Sequence, residues 1–317
     1  MAEQIELTLA HSPDSDDLVM WWPLVGQRGP DGAPVPGSLG EPAIDTGRYR
    51  FVLASDEVET LSAAAQGGAG ADITAISCAA WPAMADRYAI TACGGSFGEG
   101  YGPKVVARHD DARFTEGDIE SLTMPGVQIG IPGVRTTAYL MLRLMAGEVA
   151  VEPLPFEDVV PALVKGAVDV GVLIHEAQLT FAGDGLRAIA DVGAWWLSQT
   201  GLPLPLGLNV IRRDLDDRFG EGTVEEVARL LGDSVRVARE RIDDSKAYLR
   251  LHSEGRPEWT DDALVDRYLS MYVSGMSADM GRAGVEAIER LLDAGAVAGL
   301  IDAVKSVDVV GMAEAAS

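Results

Sequence analysis

The chain has 317 residues, is 47% hydrophobic and carries a formal net charge of −24. Its length favours two domains or one large one, and its apolar content is sufficient for packed cores. The strong negative charge repels phosphate backbones, so we expect no nucleic-acid partner. No apolar run approaches the roughly 20 residues that a membrane-spanning helix requires, so we expect no membrane association.

The N-terminal sequence, MAEQIELTLAHSPDSDD, contains no basic segment followed by a long apolar one. We therefore expect no signal peptide and a cytoplasmic protein. The two cysteines, Cys78 and Cys93, are too few for a disulfide framework or a zinc cluster. Free cysteine packs as a small hydrophobic residue, and we expect both thiols in the core.

The first hundred residues alternate predicted strands with predicted helices. The strands are IELTLAHS, YRFVLA and ADITAIS, and the helices are DLVMWWPLVG, DEVETLSAAAQGG and AAWPAMADRY. Residues 27–47 are rich in Gly and Pro and lack periodicity, which indicates a surface excursion. Residues 89–109 are predicted as two strands around a glycine-rich turn.

An acidic stretch after Arg108, HDDARFTEGDIES, is a candidate crossing between two lobes. Beyond it, the strands VQIGIPG, VAVEPLPF and AVDVGVLI alternate with the helices TTAYLMLRLMA and EDVVPALVKG, and LPLGLNVIRRDL is predicted as a returning strand. Strands that alternate with helices are typical of a parallel sheet in an α/β fold.

Long amphipathic helices dominate the chain from residue 223. Thr223 and Glu226 have the spacing of a capping box. One helical face follows, formed by Val224, Val227, Leu231, Val235, Ala238 and Ile242. Two further helices are predicted around 261–274 and 281–296.

These elements predict an α/β protein with two lobes, a cleft between them and a helical C-terminal part. The first lobe is discontinuous and contains residues 1–107 and 212–317, and the second contains 108–211. This arrangement resembles the type II periplasmic binding proteins, which close two lobes around a small ligand by hinge motion.

Loops at the carboxyl ends of predicted strands carry the candidate binding residues, because open α/β sheets place ligands there. These residues are Ser12, Asp17, Ser77, Gly95, Ser96, Thr136 and Thr137. Thr136 and Thr137 open a helix after Gly133, and a helix N-terminus with two hydroxyls favours an anion. The alternative is that Thr136 is only the helix N-cap. The turn GGSFGEGYGP lacks the strand–helix context of a dinucleotide fingerprint.

His175 directly follows the predicted strand VGVLI and should therefore emerge at the cleft. Residue 179 is Leu, so the H-E-x-x-H zinc motif is absent, and no Cys–His pair or nucleophile elbow is found. A general base that acts without a metal is the remaining chemistry. His11 and, more weakly, Asp14 are competing candidates for the base, and a purely structural His175 is the other alternative.

Several blocks together resemble the 1,4-dihydroxy-6-naphthoate synthase family. They are DEVETL, RYAITACGGSFGEGYGPKVVAR, IPGVRTTAY, FEDVVPALVKGAVDVGVLIHEAQLTF, DVGAWWLSQTGLPLPLGLNVIRRDL and MYVSGMSADMG. The resemblance implies a lyase of the futalosine route to menaquinone, without a metal or organic cofactor. Its reaction opens cyclic dehypoxanthinylfutalosine to 1,4-dihydroxy-6-naphthoate and releases a three-carbon fragment.

The resemblance also implies residue roles. His175 corresponds to the proposed base, and Ser77 and Thr137 to residues that bind the ligand. The first loop departs from the family pattern SPCPNDTF, because Asp14-Ser15-Asp16 replaces Cys-Pro-Asn in SPDSDDLV. This replacement adds negative charge at the mouth of the cleft.

The expected partner is therefore a small anionic substrate, and a homodimer is a possible assembly. We expect the ligand carboxylate on Ser77, Thr136 and Thr137, with Arg135 as a competitor for that role. Two alternatives are a solute-binding protein for a small organic acid and a chorismate dehydratase-like enzyme on the same fold. A transporter receptor must leave the cytoplasm, and the expected lack of a signal peptide argues against the first.

Overall fold

Two separate β-sheets organise the chain in a computed structural model, which describes residues 4–254 and 256–313. The strands are β1 Ile5–His11, β2 Tyr49–Ser55, β3 Ile73–Ser77, β4 Tyr88–Thr91, β5 Phe97–Gly98, β6 Lys104–Arg108, β7 Ile129–Ile131, β8 Val151–Pro153, β9 Val170–Leu173, β10 Leu186–Asp191, β11 Leu204–Pro205, β12 Gly207–Arg212 and β13 Val309–Val310. The first sheet has the order β13-β4-β12-β3-β1-β2, the second has the order β10-β6-β9-β7-β8, and β5 pairs with β11.

Helices cover the sheets and fill the C-terminal part. They are α1 Ser15–Val25, α2 Val58–Gln66, α3 Thr137–Ala146, α4 Phe156–Val164, α5 Ala177–Thr180, α6 Val192–Thr200, α7 Leu215–Phe219, α8 Thr223–Glu240, α9 Ile242–Leu251, α10 Asp262–Tyr272, α11 Gly275–Ala278 and α12 Gly281–Val297. Short 3-10 helices span Ser38–Gly40, Cys78–Met84, Glu120–Thr123, Phe181–Asp184 and Pro257–Thr260. Across the residues described, no helix is both long and apolar enough to cross a membrane.

Each sheet is mixed rather than wholly parallel, which corrects the predicted parallel sheet. In the first sheet β1 runs parallel to β2 and β3, whereas β12 lies antiparallel between β3 and β4. In the second sheet β7 runs parallel to β8 and β9, whereas β6 lies antiparallel between β9 and β10. The antiparallel strands β6 and β12 are those that follow the two crossings between the sheets.

The crossings between sheets lie earlier than the boundaries predicted at 107/108 and 211/212. Lys104–Arg108 already belongs to the second sheet, and Gly207–Arg212 belongs to the first. The two strands predicted within residues 89–109 therefore lie in different sheets. The acidic stretch is a surface loop after β6, in which Asp111 pairs with Arg108 and Arg113, rather than the linker itself.

Two local predictions are wrong. The segment predicted as the helix AAWPAMADRY forms a 3-10 helix at Cys78–Met84 that contains Pro82, whose missing N–H does not favour a longer helix. The capping box at Thr223 and Glu226 does not form, since Gly222 is the N-cap of α8. The Glu226 carboxylate instead accepts hydrogen bonds from Arg48 and Tyr49.

The helical C-terminal part packs on the first sheet through the predicted apolar face of α8. The side chains of Val227, Leu231, Val235 and Ala238 are fully buried in a cluster with α1, and Val224 and Ile242 lie partly buried at its edge. Both cysteines are buried and free, as predicted. Burial raises the pKa of the Cys93 thiol to about 12, so it has little nucleophilic character.

Candidate active site

A cleft lies where the ends of β1, β3 and β9 meet the N-terminus of α3, and it encloses about 850 Å³, including space open to solvent. Seven of the predicted site residues line it: Ser12, Asp17, Ser77, Ser96, Thr136, Thr137 and His175. Gly95 is buried behind the wall, where an added Cβ would contact the Phe97 ring and the Gly207 carbonyl. The topology therefore brings together side chains that are more than 160 positions apart in sequence, since Ser12 and His175 share one cleft.

His175 does not continue strand β9, which ends at Leu173. Its φ is +54°, and it is the only non-glycine residue with positive φ among the described residues. Left-handed backbone is unfavourable for most residues and is found preferentially at functional sites. The turn places the imidazole in the cleft, with its ring against Phe156 at a centroid distance of 4.9 Å.

A set of carboxylates surrounds the imidazole. Asp14, Asp16 and Asp17 approach it from the start of α1, and Glu176 follows it in the chain. Burial lowers the pKa of His175, and Glu176 and then Asp16 partly oppose that shift. Burial also raises the pKa of Asp14, and Glu176 adds to the increase. The loss of hydration at the half-buried ring therefore favours the neutral imidazole, which is the form that accepts a proton.

Glu176 connects the second sheet to the N-terminal and C-terminal parts of the chain. Its carboxylate oxygen Oε1 accepts hydrogen bonds from the Ser15 hydroxyl at 2.6 Å and from Trp259 Nε1 at 2.9 Å. Nearby, the Tyr272 hydroxyl donates to Gln178 at 3.0 Å. These bonds hold the segment that carries His175 against the opposite wall of the cleft.

Of the residues predicted to bind the ligand carboxylate, Ser77, Thr136 and Thr137, only some have hydroxyls that are free to bind a ligand. The Thr136 hydroxyl caps α3, because it accepts from the Tyr139 N–H at 3.1 Å and donates to the Gly133 carbonyl at 2.8 Å. The Thr137 hydroxyl donates to the Leu206 carbonyl at 2.8 Å. Both hydroxyls are thus already bonded, and Thr136 is the N-cap of α3.

Ser77 is the one of these three residues with a free hydroxyl. Its backbone N–H donates to Ser62 at 3.2 Å, whereas its hydroxyl makes no hydrogen bond within residues 4–254 and 256–313. The first N–H groups of α3, on Thr137 and Ala138, have no acceptor inside the helix. The hydroxyl and the helix N-terminus together form the groups that can bind an anion.

Arg135 does not compete for this role. Its guanidinium is directed out of the cleft and pairs with Glu59 at 2.8 Å and with Gln66 at 3.0 Å. Within the described part of the chain, the cleft wall contains no Lys or Arg side chain. An anionic ligand must therefore be neutralised by dipoles and hydroxyls rather than by a cation.

The two competing bases lie outside the cleft. His11 is buried at 5% exposure, and its Nδ1 lies 2.7 Å from the Ser12 carbonyl, so that nitrogen carries the proton. Asp14 is 1% exposed and lies behind His175 rather than at the cleft surface. Of the three candidate bases, His175 is the one that contacts the cleft.

Sequence reasoning missed several lining residues. They include Asp16, Phe156, Asn209, Tyr268 and Tyr272. Tyr268 and Tyr272 are four residues apart in the predicted helix 261–274, so one face of that helix could have been recognised as aromatic. Nothing in the sequence indicated that this face reaches the cleft.

Solved structures with the same fold fall into two groups. Protein AF1704 from Archaeoglobus fulgidus is 33% identical with a TM-score of 0.77, covering 93% of this chain and 98% of that one. The alkanesulfonate-binding protein SsuA from Xanthomonas axonopodis pv. citri, bound to MOPS, is 14% identical with a TM-score of 0.63, covering 98% of this chain and 99% of that one. The second likeness concerns the fold alone, and it confirms the predicted periplasmic-binding-protein-like architecture.

The sequence comparisons place the chain more narrowly. A family profile described as menaquinone biosynthesis matches residues 7–296. The 1,4-dihydroxy-6-naphthoate synthase of Streptomyces coelicolor is 32% identical over 305 residues, which are 94% of this chain and 95% of that protein. The synthase of Thermus thermophilus is 34% identical over 286 residues, which are 90% of this chain and 92% of that protein. The chain therefore belongs to the menaquinone biosynthesis family.

Proposed function

We propose that this protein is a 1,4-dihydroxy-6-naphthoate synthase that cleaves a carbon–carbon bond of cyclic dehypoxanthinylfutalosine and releases a three-carbon fragment. The observation that carries the proposal is the placement of the half-buried His175 imidazole at the wall of a cleft that also contains the free Ser77 hydroxyl and the N-terminus of α3. Two curated relatives with this name cover nearly the whole chain and support the same reaction.

The polarity of the cleft suggests how the substrate lies. The naphthoate carboxylate would accept hydrogen bonds from the Ser77 hydroxyl and the N-terminus of α3. Hydroxyl groups at the other end of the ligand would donate to Asp16 and Asp17, which line the same cleft. Burial and then the neighbouring Asp17 raise the pKa of Asp16, so this end of the cleft disfavours a further carboxylate and the opposite orientation is unfavourable.

In this orientation His175 acts as the general base. The neutral imidazole removes a proton from a substrate hydroxyl, and the oxygen forms a carbonyl as the neighbouring carbon–carbon bond breaks. The bonding electron pair stays on the carbon of the other fragment, which takes back the proton from the imidazolium. Phe156 and the aromatic side chains of α10 shield the site from water, which strengthens the electrostatic interactions inside it. The chain thus supplies two functions for this reaction: a proton acceptor at His175, and a binding site for the ligand carboxylate at Ser77 and the N-terminus of α3.

The proposal is tested by incubating the purified full chain with cyclic dehypoxanthinylfutalosine and following products by liquid chromatography and mass spectrometry. We expect stoichiometric formation of 1,4-dihydroxy-6-naphthoate and loss of product formation in His175→Asn. Ser198→Ala, an exposed position on α6, is the matched control and should retain full turnover. Tight binding of the compound without any product would instead support a solute-binding protein.

The alternatives receive less support. The binding proteins found among solved structures share only the fold, at 14% identity in the case of SsuA. A chorismate dehydratase-like activity is checked in the same assay by offering chorismate as the substrate. The cytoplasmic location, the absence of a nucleic-acid partner and a homodimer remain predictions.

A further inference from the structure

The Asp14 carboxylate lacks a well-aligned partner although it is almost completely buried. It is 1% exposed, and neither of its oxygens has a hydrogen-bond donor with good alignment among the described residues. The His175 imidazole is in contact with it, since Nδ1 lies 3.1 Å from Asp14 Oδ2. A buried carboxylate without a partner is unfavourable, so this contact needs an explanation.

The other carboxylates near the imidazole are already engaged. Glu176 accepts from Ser15 and Trp259, as described above. Asp17 accepts from the Ser12 N–H at 2.8 Å and from Trp21 Nε1 at 3.3 Å. Asp16 accepts from the Tyr268 hydroxyl at 3.4 Å. Asp14 is therefore the carboxylate that is left for His175.

Which ring nitrogen carries the proton decides whether His175 can act on a ligand. With Nδ1 directed at Asp14, Nε2 is the nitrogen left to face the cleft. A neutral imidazole has one protonated nitrogen, and only the tautomer with a proton on Nδ1 leaves a lone pair on Nε2. A carboxylate on Nδ1 stabilises that tautomer and fixes the ring orientation. Catalytic hydrogen bonds that are poorly aligned without ligand often tighten once a ligand is bound.

We propose that Asp14 is a positioning residue for His175, which it holds in the Nδ1-protonated tautomer with Nε2 free toward the substrate. The inference rests on the proposed function of His175 as the base. It concerns a feature of this chain, because Asp14 occupies the position at which the family pattern described above has cysteine. The departure of the first loop from that pattern thus supplies an orienting acceptor for the base.

The pair must carry one proton rather than two for the base to act. Groups that face it are Asp16 and Asp17 of α1, Glu57 before α2, Glu176, and Arg256 after α9. Burial raises the pKa of Asp14 and lowers that of His175, so a second proton is taken up by the pair as a unit on acidification. Removal of the Asp14 charge disfavours the protonated imidazole. In Asp14→Asn the fall of the rate at acidic pH should therefore occur at lower pH than in the wild type.

The test combines kinetics with nuclear magnetic resonance of the ¹⁵N-histidine-labelled full chain. The chain has four histidines, and His175→Asn assigns the signal of the base. We expect the wild type to show the Nδ1-protonated tautomer and Asp14→Asn to show the Nε2-protonated one, because the asparagine amide can donate to Nδ1. Asp14→Asn should lower kcat by about 10- to 10²-fold with little change in KM, since orientation provides part of the 10²–10⁴-fold contributed by a base.

Asp86→Asn is the matched control, because Asp86 is an exposed carboxylate away from the cleft, and it should change neither the tautomer nor kcat. An Nε2-protonated His175 in the wild type would overturn the proposal without any variant. The proposal would also be overturned if Asp14→Asn had the same kcat as the wild type and lost activity at the same acidic pH. If the wild type makes no product but shows the Nδ1-protonated tautomer lost in Asp14→Asn, the pairing stands and the proposed reaction fails.

Discussion

The chemistry of this cleft depends on one residue in an unusual backbone conformation. His175 has positive φ, and its side chain leaves the line of strand β9 because of it. Asn and His tolerate left-handed backbone better than most residues, whereas Val does not. Asparagine is therefore the substitution that removes the base and keeps the turn. The sequence correctly placed the end of a strand just before His175. The alternation of residues along a strand could not reveal that His175 adopts a left-handed turn.

Ser77 provides the clearest test of the anion seat at the residue scale. Its hydroxyl is free, whereas those of Thr136 and Thr137 are bonded within the protein. A hydrogen bond to a charged group contributes about 1.5–3 kcal/mol, so Ser77→Ala should weaken binding of 1,4-dihydroxy-6-naphthoate by at least about 10-fold. Isothermal titration calorimetry measures this, with Ser198→Ala as the exposed control. Equal affinity of Ser77→Ala and wild type would move the carboxylate elsewhere.

The pH profile follows from the lowered pKa of His175. Burial disfavours the imidazolium, so the folded pKa lies below the ordinary value of 6.5. The base is neutral above that pKa, and activity should persist through neutral pH and fall only as the pH drops below about 6.5. The measurement is kcat between pH 4.5 and 8, with circular dichroism at each pH to exclude unfolding. An acid limb centred above pH 7 would contradict the burial argument.

At the scale of elements, the segment from β9 to α5 is held in place by Glu176. Glu176→Ala removes the acceptor of both Ser15 and Trp259 and leaves a buried indole N–H without a partner. We expect a loss of about 1–3 kcal/mol in the free energy of unfolding. Glu176→Gln keeps a carbonyl oxygen for the same bonds and should lose less. Urea denaturation followed by tryptophan fluorescence compares the two, and equal losses would show that these bonds do not stabilise the segment.

Much of the order of strands and helices was predictable, because the spacing of apolar residues and the positions of turn residues are local features of the sequence. Strands β1, β2 and β3 and the face of α8 lie where the sequence placed them. The assignment of β6 and β12 to sheets was not predictable, since it depends on pairing between residues that are distant in sequence. The same holds for the site: strand ends indicated Ser77 and His175, but the approach of Tyr272 depends on how α10 packs.

At the scale of the whole molecule, the net charge of −24 opposes the approach of an anionic substrate. Salt screens such repulsion, with a Debye length of about 10 Å at 0.1 M ionic strength. We therefore expect the association rate of 1,4-dihydroxy-6-naphthoate to increase when NaCl is raised from 20 to 200 mM. Stopped-flow fluorescence measures the rate, and the uncharged methyl ester is the control that should not respond. A rate that falls with salt would indicate a local positive field that the described cleft wall does not contain.

The same fold serves binding proteins and this family, so the distinction rests on the base and not on the architecture. A solute-binding protein requires only a seat for its ligand and closure of two lobes. The cleft here combines groups that can bind an anion with a half-buried imidazole at its wall, in contact with the Asp14 carboxylate. The assignment of an enzyme therefore depends on whether that imidazole takes part in turnover.

The most direct measurement is the turnover of cyclic dehypoxanthinylfutalosine by His175→Asn beside His11→Asn. A positioned general base increases the rate by about 10²–10⁴-fold, so the kcat of His175→Asn should be lower than that of the wild type by the same factor. The variant should still bind 1,4-dihydroxy-6-naphthoate. His11→Asn should retain turnover, because His11 does not line the cleft. Near wild-type turnover in His175→Asn, together with loss of turnover in His11→Asn, would contradict the assignment of His175 as the base.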